Sequence, residues 1–99
     1  MSKPEPVNVS EFLDVLLKIK EEYDKAVSKH PNFAYSLTHG LALINEELGE
    51  LAMEINDAIA DTQAGCENPN RMQNIRTEIA HIAVTAIRMM VNANYLPLR

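Results

Sequence analysis

The sequence has few of the features that mark secreted, membrane-spanning or strand-rich proteins. Cys66 is its only cysteine, so an internal disulfide is impossible. No apolar run approaches the roughly 20 residues that a helix needs to cross a bilayer. The N-terminal segment has two prolines and no apolar stretch typical of a signal peptide. These absences predict a cytoplasmic protein without a membrane partner.

Positive charge is scarce as well. The formal net charge is −5 at pH 7, and the pI is about 5.1. Nucleic acids and anionic membranes attract proteins with clustered lysine and arginine, so this chain is a poor candidate for binding either of them directly. Residues 31–70 contain no lysine or arginine, so the carboxylates of that segment have no neighbouring cation in the sequence.

The hydrophobic periodicity predicts an all-α protein. Apolar residues recur at intervals of three and four, and no segment alternates apolar and polar residues as a strand would. The pattern predicts helices at about residues 9–28, 37–62 and 71–93, capped by Asn8, Ser36 and Asn70. With 99 residues the chain forms a single domain, with a flexible arm at residues 1–7.

Apolar residues make up 46% of the chain, a high share for a small helical protein. The first helix has an apolar face formed by Phe12, Leu13, Leu16, Ile19, Tyr23 and Val27. Its solvent-exposed face is predicted to consist mostly of Lys18, Lys20, Glu21, Glu22 and Lys25. Because three helices cannot close a compact four-helix core alone, we predict a bundle completed by homo-oligomerisation, as a homodimer or homotetramer.

The second helix carries a stripe of acidic side chains, which we name the carboxylate stripe. Its members are three and four residues apart, cover about one third of the helix circumference, and comprise Glu46, Glu47, Glu50, Glu54, Asp57 and Asp61. Like charges at this spacing destabilise a helix by roughly a few tenths of a kcal/mol per pair. A bound Mg²⁺ or Mn²⁺ would offset that cost, because both prefer oxygen ligands. The alternative is a stripe that simply faces solvent.

The third helix carries a line of polar residues with apolar residues on both sides. The line consists of Glu78, His81, Thr85, Arg88 and Asn92. A polar line flanked in this way is not expected to face open water. It predicts a site in the bundle interior or an interface groove, and the alternative is a set of core polar groups that hydrogen-bond to one another.

Two short motifs lie on these helices, with 27 residues between Glu50 and Glu78: Glu46-Glu47-Leu48-Gly49-Glu50-Leu51 and Glu78-Ile79-Ala80-His81. Together they resemble the Glu-Glu-x-x-Glu and Glu-x-x-Asp helices of the MazG-like all-α nucleoside triphosphate pyrophosphohydrolases. The segment Thr38-His39-Gly40-Leu41-Ala42-Leu43 resembles the phage and mobile-element members of that family. The resemblance covers about residues 36–97 and implies an antiparallel helical bundle. The chain departs from the family pattern at His81, where the family has aspartate.

The resemblance implies a ligand set and a reaction. Glu47, Glu50 and Glu78 would bind the metal, with Glu46 in support and His81 at the position of the family's last acid. Histidine binds Mn²⁺ but is a poor Mg²⁺ ligand, so the substitution implies altered metal preference or lost catalysis. Family members hydrolyse (d)NTP to (d)NMP and pyrophosphate. Either Glu47 or Glu50 would then orient the attacking water as a catalytic residue.

A triphosphate substrate also requires cationic and apolar contacts. The candidates for substrate binding are Arg88, which stands on the polar line of the third helix, and Arg76, Asn92, Lys18, Lys25 and Arg71. An apolar pocket for the base would come from Phe33, Tyr35 or Leu37. The identity of the base does not follow from these residues.

Two other functions fit the sequence. Di-metal carboxylate bundles use a glutamate from each of two helices and Glu-x-x-His from each of two others, and Glu78-x-x-His81 matches the second element. The second of these functions is a catalytically inactive helical interaction module, in which the carboxylate stripe binds a basic partner.

Overall fold

The computed structural model describes residues 8–99, which form three helices. α1 spans Val9–Lys29, α2 spans Leu37–Gln63, and α3 spans Arg71–Asn92, followed by one 3₁₀ turn over Ala93–Tyr95. No residue from 8 to 99 lies in a strand, so the predicted all-α class is confirmed. The predicted flexible arm at residues 1–7 lies outside the described residues. Within the described helices, none is both long and apolar enough to cross a membrane.

Two of the three predicted helix caps are confirmed. The side chain of Asn8 accepts a hydrogen bond from the Glu11 amide at 2.9 Å, and Ser36 accepts one from the His39 amide at 3.0 Å. Asn70 precedes the first residue of α3 as predicted, but its side chain makes no cap hydrogen bond. The backbone of Asn70 is already helical (φ −89°, ψ −9°), whereas a capping residue typically has extended geometry that turns its side chain back to the first amides.

The helices run alternately up and down, with α3 as the helix on which the other two pack. The start of α3 pairs with the end of α2 through Arg71 and Asp61. The hydrogen bond from Arg88 to the His30 carbonyl joins the end of α3 to the end of α1. α2 is therefore antiparallel to α3, and α1 is parallel to α3.

The C-terminal tail closes the other end of α2. The amide of Leu37 donates to the Pro97 carbonyl at 2.8 Å, and the amide of Thr38 donates to the Leu98 carbonyl at 3.0 Å. Amides in the first turn of a helix have no partner within the helix. The tail thus stabilises the helix that carries the carboxylate stripe.

The single chain buries little apolar surface. Ala80 and Val84 are the buried apolar residues of the described chain, and no large side chain there is fully buried. The Cα radius of gyration is 15.9 Å, against about 12–13 Å for a compact chain of this length. Large apolar side chains along the faces of α1 and α2 are exposed, including Phe12, Leu13, Leu16, Leu41, Leu48, Ile55 and Ile59.

The prediction of the solvent-exposed face of α1 is wrong at one position. Glu22 is only 7% exposed and faces α3 rather than solvent, because its carboxylate lies 3.9 Å from the His81 ring. Lys20, Glu21 and Lys25 are exposed as predicted, whereas Lys18 is only partly exposed.

Candidate metal centre

The helical bundle brings Glu47, Glu78 and His81 to one place. Glu78 and His81 are three residues apart and therefore share a face of α3, and the antiparallel α2 places Glu47 opposite them. One ligand atom from each residue can be chosen so that all three lie within 4.8 Å of one another. Nδ1 of His81 is 3.6 Å from Oε2 of Glu78 and 3.7 Å from Oε2 of Glu47. Two carboxylates and an imidazole are donors that could hold a divalent metal ion.

Two oxygen atoms in this cluster are buried without a hydrogen-bond donor. They are Oε2 of Glu47 and Oε2 of Glu78, and no donor from residues 8–99 reaches either of them. An ionised carboxylate oxygen removed from water needs a proton donor or a cation. This unmet requirement fits a bound cation at the cluster.

Without a cation, a proton can meet the same requirement. Burial raises the pKa of the Glu47 carboxyl from 4.5 to about 7. The negative charges of Glu50 and Glu78 act in the same direction, and His81 opposes them. When Glu47 is protonated, it can donate a hydrogen bond to Glu78, which accounts for the otherwise unpartnered oxygens of both residues at lower pH.

Two cavities open beside the cluster, and Glu47 lines both. The larger has a volume of about 490 Å³, and its walls include Glu46 and Arg88 together with the aromatic residues Phe33, Tyr35 and His39. The smaller, of about 350 Å³, is lined by Glu47 and His81 together with Glu22, Lys25 and Lys29. Acidic ligands, cations and aromatic rings are therefore adjacent in space.

Arg88 is buried at the wall of the larger cavity and is 8% exposed. Its Nη2 donates to the His30 carbonyl at 2.5 Å, and its guanidinium lies 5.5 Å from the centroid of the Phe33 ring. Arginine has five N–H donors, so this one hydrogen bond leaves others for a second partner. Tyr35 and His39 stack with ring centroids 4.8 Å apart on the same cavity wall.

The other predicted site residues lie around the cluster rather than in it. Glu46 and Glu50 are exposed and are not among the three clustered ligands. Glu46 lines the larger cavity, and the charge of Glu50 reaches Glu47. Leu37, predicted as a base contact, does not line either cavity.

The predicted substrate contacts on α1 and α3 are dispersed. Lys18 forms an ion pair with Glu22 at 3.3 Å. Asn92 donates to the Arg88 carbonyl at 2.8 Å, and Arg76 is exposed. None of these three lines either cavity. Arg88 and Lys25 are the predicted cationic contacts that do.

Half of the carboxylate stripe has a partner within the chain. Arg71 of α3 forms ion pairs with Glu54, Asp57 and Asp61 at 2.7, 3.7 and 3.1 Å. Hydrogen bonds to Glu54 and Asp61 raise the pKa of the Arg71 guanidinium above its ordinary value. A cation from outside residues 31–70 therefore offsets this half of the stripe, where a bound metal was expected, and Arg71 is engaged with carboxylates rather than free for a phosphate.

Glu22 is the residue of this site that the sequence analysis missed. Its neighbours on the helical wheel contain the signal that identifies it. Glu22 is three residues after Ile19 and four before Ala26, so it lies between two apolar positions on one face. The sequence analysis instead grouped it with Lys18 and Lys25 on the solvent-exposed side of α1.

Comparison of the chain with protein-family models, curated proteins and solved structures gives no match. The resemblance to MazG-like enzymes thus rests on the two motifs alone, and the function is argued from the site.

Proposed function

We propose that this chain is a metal-dependent nucleotide pyrophosphohydrolase, which hydrolyses (d)NTP to (d)NMP and pyrophosphate. The observation that carries the proposal is the pair of buried, donorless oxygens on Glu47 and Glu78 beside His81. Those atoms lie next to cavities that contain arginine, lysine and aromatic side chains. The residues present fit Mn²⁺, and Mg²⁺ is favoured less because one of the three donors is an imidazole.

Each side chain at the site has a role in this reaction. A bound divalent ion supplies charge neutralisation for the phosphate oxygens and for the attacking water. Glu47, Glu78 and His81 would hold it, and the exposed Glu50, whose charge acts on Glu47, would accept a proton from water. Arg88, Phe33 and Tyr35 line the larger cavity; the remaining N–H groups of Arg88 would bind phosphate, and the two rings would contact the base.

Self-association is part of the proposal. The exposed apolar faces of α1 and α2, together with the extended shape of the chain, support a second copy as their partner. A core as small as Ala80 and Val84 does not supply the burial that a domain of this size needs. Pairing through these faces would leave the polar cluster on α3 in the interior of a larger bundle.

The test is pyrophosphate release from a panel of ribo- and deoxynucleoside triphosphates, with Mg²⁺ and separately with Mn²⁺. We expect release that is greater with Mn²⁺ and is lost in Glu47→Gln and Glu50→Gln. Asp57→Asn is the matched control, because it makes the same charge change on α2 away from the cluster, and it should retain activity. Absence of release with every nucleotide and both metals, without any metal-dependent rise in Tm, contradicts the proposal and leaves a helical interaction module.

One observation favours a second candidate, a di-metal carboxylate protein of the oxygen-activating kind. Glu78-x-x-His81 of α3 faces Glu47 of α2, which is one half of the ligand set of such bundles, and a second copy of the chain would supply the other half. Aerobic loading with Fe²⁺ discriminates the two functions. A ferric absorption band without pyrophosphate release favours the di-metal protein.

A further inference from the structure

The imidazole of His81 lies between carboxylates on both of its nitrogen sides. Nδ1 faces Oε2 of Glu78 and of Glu47, at 3.6 and 3.7 Å, whereas Nε2 faces Oε2 of Glu22 at 3.9 Å. In a neutral histidine one ring nitrogen carries the proton and the other a lone pair. The partners of the two nitrogens therefore determine which of them can bind a metal ion.

Glu22 is held in place from its own helix. Its carboxylate is 7% exposed, Nζ of Lys18 donates to Oε1 at 3.3 Å, and Nζ of Lys25 lies 3.8 Å from Oε2. The two lysines stand on either side of Glu22 in the sequence, at four and three residues' distance, and hold the carboxylate through both oxygens. Oε2 is the oxygen that faces the imidazole.

Glu22 lies outside the group of atoms that could surround an ion. That group consists of Glu47, Glu78 and His81, and Glu22 approaches it only through the far side of the imidazole ring. Histidines that bind metals commonly donate their other ring N–H to a carboxylate, which fixes the orientation of the ring and makes the ligating nitrogen more basic. The order carboxylate, imidazole, ligand cluster is the order found here.

We propose that Glu22 is a positioning residue for His81: it accepts the Nε2–H proton and leaves the Nδ1 lone pair directed at the ion held by Glu47 and Glu78. The inference rests on the proposed metal site. The Nε2–Oε2 distance of 3.9 Å exceeds that of an N–H···O hydrogen bond by about 1 Å, so the proposed bond requires one of the two side chains to move closer by that amount. Without Glu22, the proton would favour Nδ1, which has carboxylate acceptors of its own, and a metal ion would have to displace it from that atom.

The experiment combines a tautomer measurement with a metal titration, and neither depends on turnover. Two-dimensional ¹⁵N–¹H spectra of the His81 ring are recorded at a pH where the spectra themselves show the ring to be neutral, for the free protein and for the Zn²⁺-loaded protein. Calorimetry gives the Mn²⁺ and Zn²⁺ affinities. The variants are Glu22→Gln, Glu22→Leu and, as the matched control, Glu21→Gln, which makes the same change on the exposed side of α1 beside the shared Lys25.

We expect the Nε2–H tautomer in the wild type and in Glu21→Gln, and an increased share of Nδ1–H in Glu22→Leu. Affinity for Zn²⁺ and Mn²⁺ should fall about 10–100-fold in Glu22→Gln and stay unchanged in Glu21→Gln. A predominant Nδ1–H form in the wild type overturns the proposal, as does equal affinity in the two glutamine variants.

A wild-type protein that binds neither metal would refute the proposed function, and the tautomer measurement would still decide the role of Glu22. If the free wild type holds Nε2–H and Glu22→Leu loses it, Glu22 orients His81 in the absence of a metal. If the tautomer is the same in both, the positioning role is refuted as well. Circular dichroism of each variant shows whether the helices are intact before either comparison is made.

Discussion

Nη1 of Arg71 lies 2.7 Å from Oε2 of Glu54, across the contact between α3 and α2. The same guanidinium pairs with Asp57 and Asp61, so one cation serves the C-terminal half of the carboxylate stripe. The metal hypothesis therefore concerns the other half, where Glu47 meets Glu78 and His81. The stripe is two features in one helix: an ion-pair network at one end and a candidate ligand cluster at the other.

Replacement of Arg71 tests the first of these features. Arg71→Ala leaves three carboxylates on one helix face without their cation, so we expect Tm to fall by several degrees, and by less in high salt, which screens the repulsion. Arg76→Ala is the matched control, because Arg76 is an exposed arginine on the same helix, and it should change Tm little. Equal Tm values for the two variants would contradict the assigned role of Arg71.

The parts of the fold that sequence analysis predicted are the local ones. Helical periodicity depends on residues three and four positions apart. The capping hydrogen bonds of Asn8 and Ser36 also join residues three positions apart, so both features can be recognised in the sequence. The pairing of Arg71 with Glu54 joins residues 17 positions apart, and it depends on how α2 and α3 pack. The sequence analysis predicts that Glu22 is solvent-exposed. Its position against His81 arises from the packing of α1 on α3, which is also a tertiary contact.

The candidate site was predicted in part for the same physical reason. Glu78 and His81 share a helix face at three-residue spacing, so their proximity follows from the sequence. Which of Glu46, Glu47 and Glu50 faces them depends on the rotation of α2 about its axis, and the structure brings Glu47 to the cluster. That rotation is set by tertiary contacts, which periodicity alone does not supply.

The two glycines of α2 should respond differently to alanine. Nothing lies within 4 Å of a Cβ added at Gly49, so Gly49→Ala should raise the free energy of unfolding by about 0.5–1 kcal/mol through helix propensity. At Gly40 the added Cβ would lie 3.1 Å from Cε2 of Phe33 and 3.4 Å from Sδ of Met89. Gly40→Ala should therefore show none of this gain, because the ring must move. Urea denaturation of both variants measures the difference, and equal gains would show that the contact at Phe33 is loose.

Self-association should depend on the exposed apolar face of α1. The wild type is expected to sediment at a multiple of the 11.1 kDa chain mass, because burial of that face needs a second copy. The double variant Phe12→Glu/Leu16→Glu should shift the protein toward the monomer, and Ser10→Glu, on the same exposed first turns, should not. A wild type that remains at the chain mass at high concentration contradicts the proposed assembly.

Restoring the acid that the MazG-like pattern has at position 81 should change the metal preference. Aspartate supplies the oxygen donor that Mg²⁺ prefers, so His81→Asp should raise pyrophosphate release with Mg²⁺ relative to release with Mn²⁺, by about tenfold or more. His81→Asn, which removes the imidazole without supplying a carboxylate, is the control. An unchanged ratio of the two rates would show that His81 does not contact the metal.

The raised pKa of Glu47 predicts a specific pH dependence of stability. The carboxyl titrates near 4.5 when it is unperturbed and near 7 in the fold, so between these values the folded state binds the proton that the unfolded state has lost. The free energy of unfolding contributed by this group therefore falls as the pH rises from about 4.5 to 7, and it stays reduced at higher pH. Glu47→Gln removes that contribution. In chelator-treated protein we expect the free energy of unfolding of Glu47→Gln to increase relative to that of the wild type between pH 4.5 and 7. The difference should persist above pH 7.

Divalent ions should make the wild type more stable than Glu47→Gln. A cation replaces the proton at Glu47, so it binds the wild type best above about pH 7, where no proton must be displaced. Addition of Mn²⁺ at pH 8 should raise the Tm of the wild type, and leave that of Glu47→Gln nearly unchanged. Glu46→Gln, a change at the exposed neighbour outside the cluster, should keep most of the wild-type response. If the stability difference between the wild type and Glu47→Gln does not vary with pH, Glu47 is not the proton-binding group, and the buried oxygens require another explanation.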